Sequence, residues 1–290
     1  MIPESELILN GDGSIYHLKL QPADIADNIL LVGDPSRVNV VSKFFDAVEF
    51  KMSNREFVTH TGTYRGKRIS VMSTGIGCDN IDIVINELDA LVNIDLHSRE
   101  IKKEKKSLNL VRIGTSGSLQ KDIPVDSFVF SSHGLGLDGL LNYYSGLEKI
   151  NETKISEAFM AHTKWNEKLS YPYVIKASSA LSEKIRKDLI VGITATAPGF
   201  YGPQGRELRL APSIQDLNEL LTSFSFEGKW ISNFEMETSA LYGLSAHLGH
   251  QACTVCLIIA NRIAKQYSRR HLEKMDELVG FVLDRLTEHC

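Results

Sequence analysis

The sequence predicts a single α/β domain, residues 1–290, with a mixed central β-sheet flanked by helices. Three observations carry that expectation. Short apolar runs of strand length alternate with longer segments whose apolar residues recur at helical spacing, from residue 28 to the last helix. No internal repeat or low-complexity linker divides the chain. Apolar residues make up 43% and charged residues 23% of the 290 positions, so the domain has enough apolar surface to bury a sizeable core.

The elements follow in order. Residues 28–33 form a short apolar run ending in a turn, and 38–45 have helical spacing. Residues 56–64 and 68–73 read as β, joined by the turn Arg65-Gly66-Lys67. Over 80–96, Ile81, Val84, Ile85, Leu88, Leu91 and Val92 mark an amphipathic helix. The stretch 97–107 is dense in charge (Arg99, Glu100, Lys102, Lys103, Glu104, Lys105, Lys106) and reads as a solvated loop or helix tail. Residues 108–114 and 125–131 read as buried strands, 157–169 and 180–189 as helices, and 190–196 as a strand. A helix over 236–248, a central strand over 252–260 and a closing helix over 268–286 complete the set.

Several function classes drop out. A formal net charge of −4 gives no basic footprint for nucleic acid or an anionic membrane, so neither is expected as a partner. The first residues lack the basic-then-apolar pattern of a secretion signal, and no apolar run approaches the length of a membrane span. A cytoplasmic protein is expected. Four cysteines are too few and too scattered for a disulfide framework. Cys253 and Cys256 form a CxxC pair inside an apolar strand, where positions three apart face opposite sides. With no second pair to complete a zinc site, both read as core residues. Gly134, Gly136 and Gly139 match GxGxxG, yet Ser132 and His133 stand between the strand and the first glycine. No dinucleotide site is expected there. Nor is one expected at Gly75 and Gly77, where Asn80 takes the third glycine's place. No Walker lysine, Gly-x-Ser-x-Gly elbow or His-Glu-x-x-His helix occurs.

Chemistry concentrates in three places. Asn233–Ala240 sets Glu235 and Glu237 two residues apart before an apolar helical run. In an extended stretch both would face one side and suit a ligand with neighbouring hydroxyls, such as a ribose. The alternative is that both belong to a first helical turn and complement its dipole. Strand 28–32 opens into Gly33-Asp34-Pro35-Ser36-Arg37, where close backbone approach, free N–H groups and a guanidinium suit an anion. Arg112 interrupts an apolar strand that opens into Gly114-Thr115-Ser116-Gly117-Ser118, a loop of small donors. A buried arginine needs a partner, either a structural carboxylate or a bound anion. Two separate arginine-bearing loops favour phosphate.

The motifs Gly33–Arg37, Asn54–Phe57, Ser73–Gly77, Arg112–Thr115, Phe200–Arg206 and Phe234–Glu237, in that order, resemble the nucleoside phosphorylase family with a single α/β domain, in its uridine phosphorylase branch. The resemblance runs from about Tyr16 to the last helix and implies a mixed sheet partly closed into a barrel. It leaves 1–15 as an N-terminal extension and 97–107 as a charged insertion. It implies a pentosyltransferase that converts uridine and phosphate to uracil and ribose 1-phosphate, with phosphate as co-substrate and no cofactor. Gly33, Arg37, Arg55, Arg112 and Thr115 would hold phosphate, and His17, Glu235, Met236 and Glu237 the ribose. Phe200, Gln204, Arg206 and Arg262 would meet the base. Catalysis would rest on Arg112, Gln204 and Arg206. Arg55 and His17 would reach into a neighbouring subunit's site, in a homodimer at least and typically a hexamer of dimers. Some relatives hold a monovalent cation near the positions of Glu56, Ile76 and Asn80, but Asn80 replaces the usual hydroxyl. Purine-specific relatives place an Asp after the penultimate strand, where this chain has Asn261-Arg262. That favours a pyrimidine. Outside the resemblance, His17 reads equally as a surface imidazole, and Gln204 and Arg206 as part of a solvated Gly/Pro-rich loop. A purine nucleoside phosphorylase, a hydrolytic nucleosidase and a nucleoside-binding protein without catalysis are the alternatives.

Overall fold

A computed structural model of the protein describes residues 1–288; His289 and Cys290, the end of the expected domain, lie outside the described residues. The chain runs β1 (Asn28–Val32), α1 (Ser36–Ser42), β2 (Ala47–Asn54), β3 (Phe57–Tyr64), β4 (Lys67–Ser73), α2 (Cys78–Asn93), β5 (Ile94–Asp95), β6 (Glu100–Ile101), β7 (Asn109–Ser118) and β8 (Phe128–Gly136). It continues with α3 (Thr153–Thr163), β9 (Tyr173–Lys176), α4 (Ser179–Ile185), β10 (Ile190–Thr196), α5 (Leu217–Ser223), β11 (Ser225–Phe226), β12 (Lys229–Glu235), α6 (Thr238–Leu248), β13 (Gln251–Asn261), β14 (Gln266–Tyr267) and α7 (His271–Thr287).

The barrel closes through five strands. β12, β10, β8, β13 and β7 pair in that order, and β7 returns to β12 through Gly117↔Phe234 and Ser118↔Asn233. β1, β4, β3 and β2 extend from β7 as an open arm. Register shifts at Ile193 in β10 and between Ile258 and Ala260 in β13 give the local bends that closure needs. The core strands are near-continuous apolar runs, as strands covered on both faces must be. α2 buries Ile81, Val84, Ile85, Leu88 and Leu91 along one stripe. Each such side chain contributes about 1.5–3 kcal/mol relative to exposure. α6 is buried along Thr238–Ser245 and lies against β8 and β13. Tyr242 fastens it there: its hydroxyl donates to the Ser131 carbonyl and accepts from the Thr254 N–H.

Several expectations need correction. Residues 114–118 are not a loop but the second half of β7, held in the sheet by β13 and then β12. β8 does not stop at residue 131 but runs through His133 to Gly136, so Gly134 and Gly136 of the GxGxxG match lie in a strand, and Gly139 follows it in a left-handed turn at φ +81°. A Cβ at Gly134 would sit 2.8 Å from Ser239 Cα, and one at Gly136 would sit 2.3 Å from the Tyr173 ring. Those glycines admit α6 and β9 rather than a dinucleotide. The helix expected over 80–96 ends at Asn93, and β5, just before the charged segment, pairs with β6 inside it as a short hairpin. The helix expected over 157–169 ends at Thr163, where Lys164 turns left-handed. Cys253 and Cys256 are both buried, and burial pushes the Cys256 thiol up to about 12.

Candidate active site

A cavity of about 940 Å³ opens where the ends of β1, β7, β12 and β13 meet the Phe200–Arg206 loop. Two clusters of charged and polar groups line it.

The first cluster is built on strand ends. Arg112 comes from the middle of β7 and is 4% exposed. Its Nη2 donates to Glu237 Oε2 at 2.6 Å and its Nη1 to Thr74 Oγ1 at 3.4 Å. Its Nε lies 3.9 Å from Glu235 Oε2, too far for a hydrogen bond, and is buried without a partner. Burial alone would lower the guanidinium's pKa, but the charges of Glu237 and Glu235 outweigh it and raise it. Gly33 faces the same group: a Cβ there would lie 3.6 Å from Arg112 Nη2. Arg37 lines the cavity beside it without a carboxylate partner among the described residues. Burial, then the like charge of Arg112, lowers its pKa. Two guanidiniums held side by side, one of them unpaired, make a site for an anion.

Glu235 and Glu237 are not equivalent. β12 ends at Glu235, and the backbone then turns, with Glu237 at φ −141° and ψ −27° before α6 begins. The extended geometry that would set both carboxylates on one side does not persist. Glu235 accepts from Thr196 Oγ1 (2.7 Å) and from the N–H groups of Glu237 (2.9 Å) and Thr238 (3.0 Å). It thus occupies the free donors at the start of α6. Its pKa is raised, by burial first and then by the charge of Glu237. Glu237 accepts from Arg112 and from the Gly77 N–H at 2.8 Å. Gly77 sits at φ +99°, a conformation open to glycine and strained for other residues. Cys78 Sγ donates to the Met236 carbonyl at 3.2 Å, which pins the backbone between the two glutamates. Both carboxylates, Met236 and Thr115 line the cavity.

The second cluster stands on the Gly/Pro-rich loop. Arg206 lies over the Phe200 ring, with Cζ 3.8 Å from its centroid, and donates from Nη1 to the Phe200 carbonyl (2.6 Å) and to Gln204 Oε1 (2.5 Å). Gln204 is 3% exposed, so this loop residue is not solvated as its composition suggests. Arg262, beyond β13, donates to the Gln204 carbonyl at 3.1 Å. Burial and the charge of Arg262 push Arg206 down to about 10. Asn261, where purine-specific relatives have an acid, is not in the cavity wall. It donates to the Gln120 and Ile123 carbonyls and accepts from the N–H groups of Ile263 and Ala264, fixing the turn after β13.

Two expected residues stand apart. His17 and Arg55 do not line this cavity. His17 is held by Glu87 on α2, and Arg55 lies against Tyr16, with Cζ 5.5 Å from the ring centroid. Glu56, Ile76 and Asn80 lie together on the cavity wall, with Asn80 Nδ2 3.3 Å from the Ile76 carbonyl. Thr196, Gly77 and Tyr267 have parts in or around the site that sequence reasoning missed. Gly77 lies in a motif quoted for the resemblance. Thr196 and Tyr267 carry no sequence signal.

Residues 28–288 match the model of the phosphorylase superfamily, and the chain belongs to that family. It is 29% identical over 266 residues to a uridine phosphorylase of Thermococcus kodakarensis, across 89% of this chain and 81% of the relative. It is 31% identical over 246 residues to a DeoD-type purine nucleoside phosphorylase of Oceanobacillus iheyensis, across 83% and 85%. Among solved structures, a Trypanosoma brucei nucleoside phosphorylase described as showing uridine phosphorylase activity superposes with a TM-score of 0.87 at 29% identity, covering 97% of this chain and 99% of that one. A Phytophthora capsici uridine phosphorylase shares the fold with a TM-score of 0.70 at 23% identity, covering 100% and 99%.

Proposed function

We propose that this protein is a uridine phosphorylase, which splits uridine with inorganic phosphate into uracil and ribose 1-phosphate. The observation that carries the reading is one cavity holding both an arginine pair, Arg37 and Arg112, and a donor cluster, Gln204, Arg206 and Arg262, with Glu237 in its wall. Glycosidic cleavage builds positive charge on the sugar and negative charge on the departing base. Phosphate carries roughly −1.5 to −2 charges near neutral pH. Held by Arg37, Arg112, Thr115 and the Gly33 backbone, it faces the sugar from below, attacks C1′ and stabilises the forming cation. Glu237, fixed by Arg112 and Gly77, accepts from the ribose hydroxyls, and Glu235 and Met236 hold the backbone that carries it. Arg206 holds the Gln204 amide oxygen, which leaves the amide NH₂ to donate to a uracil oxygen. Arg206 and Arg262 supply further positive charge where the leaving base becomes an anion, and Phe200 backs the ring. No cofactor is called for, and phosphate is the co-substrate.

The pyrimidine assignment rests on the same cluster. Its members are donors, and Asn261 is turned away into the protein. A site that hydrogen-bonds a base edge can reject analogues lacking the matching groups by ~10⁴–10⁵. We further propose a cytoplasmic enzyme of pyrimidine salvage, assembled at least as a homodimer and typically as a hexamer. His17 and Arg55 would complete the site of a neighbouring chain; their position off the cavity and close together beside Tyr16 supports that reading. Among the described residues no helix is long and apolar enough to cross a membrane. A monovalent cation beside Glu56, Ile76 and Asn80 would have to compete with the Asn80 amide for the Ile76 carbonyl.

The test is base release from uridine and from inosine, each with and without phosphate. Uracil released only with phosphate is expected. Hypoxanthine instead would keep the arginine pair and overturn the reading of Gln204, Arg206 and Asn261. Release without phosphate would make the protein a nucleosidase. Binding of uridine without release would leave a nucleoside-binding protein.

A further inference from the structure

We propose that Glu87 is a positioning residue for substrate recognition: it fixes the ring of His17, and so the hydrogen bond His17 makes to a nucleoside. The Glu87 carboxylate takes four contacts from one short segment. His17 N–H lies 3.0 Å and 3.1 Å from its two oxygens, Leu18 N–H lies 2.8 Å from Oε2, and His17 Nδ1 lies 2.6 Å from Oε1. An ionised carboxylate accepts and does not donate, so the contact at Nδ1 requires the ring proton to be there. In the neutral imidazole Nε2 is then the ring's free acceptor, and it has no partner among the described residues. A hydroxyl donating to Nε2 meets the lone pair only in this tautomer. The inference rests on the reading that His17 meets the ribose 5′-hydroxyl in a neighbouring chain.

The surroundings hold the segment as well as the ring. Asn54 Nδ2 donates to the His17 carbonyl at 2.7 Å, and Tyr16 packs edge-on against the imidazole with centroids 4.7 Å apart. Further out, the Arg99 guanidinium donates to the Leu7 carbonyl, and the Ile2 N–H donates to the Arg99 carbonyl at 2.7 Å. The charged 97–107 segment, which the chemistry does not call for, therefore clamps the N-terminal strap that leads to His17. α2 supplies Glu87 from the same helix whose N-terminus, at Gly77, holds Glu237.

The experiment compares kcat/KM for uridine and for 5′-deoxyuridine in wild-type protein, His17→Ala, Glu87→Gln and the double variant. His17→Ala is expected to lower the uridine-to-5′-deoxyuridine ratio ~10-fold, the scale of one lost hydrogen bond. Glu87→Gln is expected to lower the same ratio ~5-fold and to add nothing to His17→Ala. An equal fall on both substrates in Glu87→Gln would make Glu87 merely structural and overturn the proposal. A wild-type ratio in Glu87→Gln, with the ratio collapsed in His17→Ala, would overturn the positioning role and leave the His17 contact standing. A wild-type ratio in His17→Ala would remove that contact and the proposal together. If Glu87→Gln does not fold, Glu87→Asp keeps the charge but draws it off Nδ1 by one methylene, and the same ratio decides.

Discussion

The two clusters that share the cavity are built differently. Arg112, Glu235 and Glu237 sit on β7 and at the β12–α6 junction, and each is at most 5% exposed. Every one is bound to strand or helix backbone or to another member of the set. Gln204, Arg206 and Phe200 sit on a loop, Phe200 is 50% exposed, and the cluster is held by a few contacts among its own members and Arg262. The groups proposed to meet the phosphate and the sugar thus share their support with the scaffold. The groups proposed to meet the base should be open to change without disturbing it. In such an arrangement the chemistry is rigid and the choice of base is adjustable.

The largest expected effect lies in the first cluster. Arg112→Ala should reduce turnover ~10²–10³-fold, the scale for losing a transition-state donor. It should also cost about 3–5 kcal/mol of stability, because two buried carboxylates lose their counter-charge. Steady-state rates and denaturant midpoints read both, and a variant of wild-type rate would remove phosphate from this cluster. Acid sensitivity should belong to the scaffold. Burial, with Lys229 and Lys176 adding to it, pushes the pKa of His133 in β8 down to about 4 from its ordinary 6.5. The stability this contributes is complete above pH 6.5 and is lost as the pH falls through 4, to a total of about 3 kcal/mol. His133→Gln should flatten the fall in melting temperature between pH 6.5 and 4, and an unchanged fall would place the sensitivity elsewhere. In the second cluster, Arg206→Ala should lower kcat/KM for uridine ~10–100-fold. Its melting temperature should stay near the wild-type value. A large loss of stability there would break the contrast between the clusters. The smallest effect is expected from Thr196→Val, which removes two buried hydrogen bonds, one donated to Glu235 and one accepted from the Ser239 N–H, and should cost about 1–2 kcal/mol.

The sequence was most legible where burial dominates. β1, β10, β13 and α2 are apolar runs or stripes, and their periodicity alone locates them within a few residues. β2 was missed although Val48, Phe50 and Met52 alternate with Glu49, Lys51 and Ser53; as an edge strand it buries none of them fully, so the run lacks the dense apolar character of the central strands. β12 was missed because Ser232, Asn233 and Glu235 are buried polar residues whose partners lie on β10 and β7. The β7 residues 114–118 look like a loop because their glycines and serines suit close strand contact as well as a turn. In the candidate site, the residue types of Arg112 and Glu237 were readable, and their pairing was not. It depends on Gly77 and on the turn after Glu235, two backbone features without a side-chain signature. Glu87 was invisible for the same reason: among the acids of an amphipathic helix, only the fold brings it to His17.

A crystal structure of the protein with phosphate and an uncleaved uridine analogue tests the division of the cavity most directly. Expected are an anion between Arg37 and Arg112, ribose hydroxyls on Glu237, and the pyrimidine edge on Gln204 and Arg206. A base seated against Arg37 and Arg112, or an anion bound at Arg206 and Arg262, would reverse the two clusters and contradict the reading.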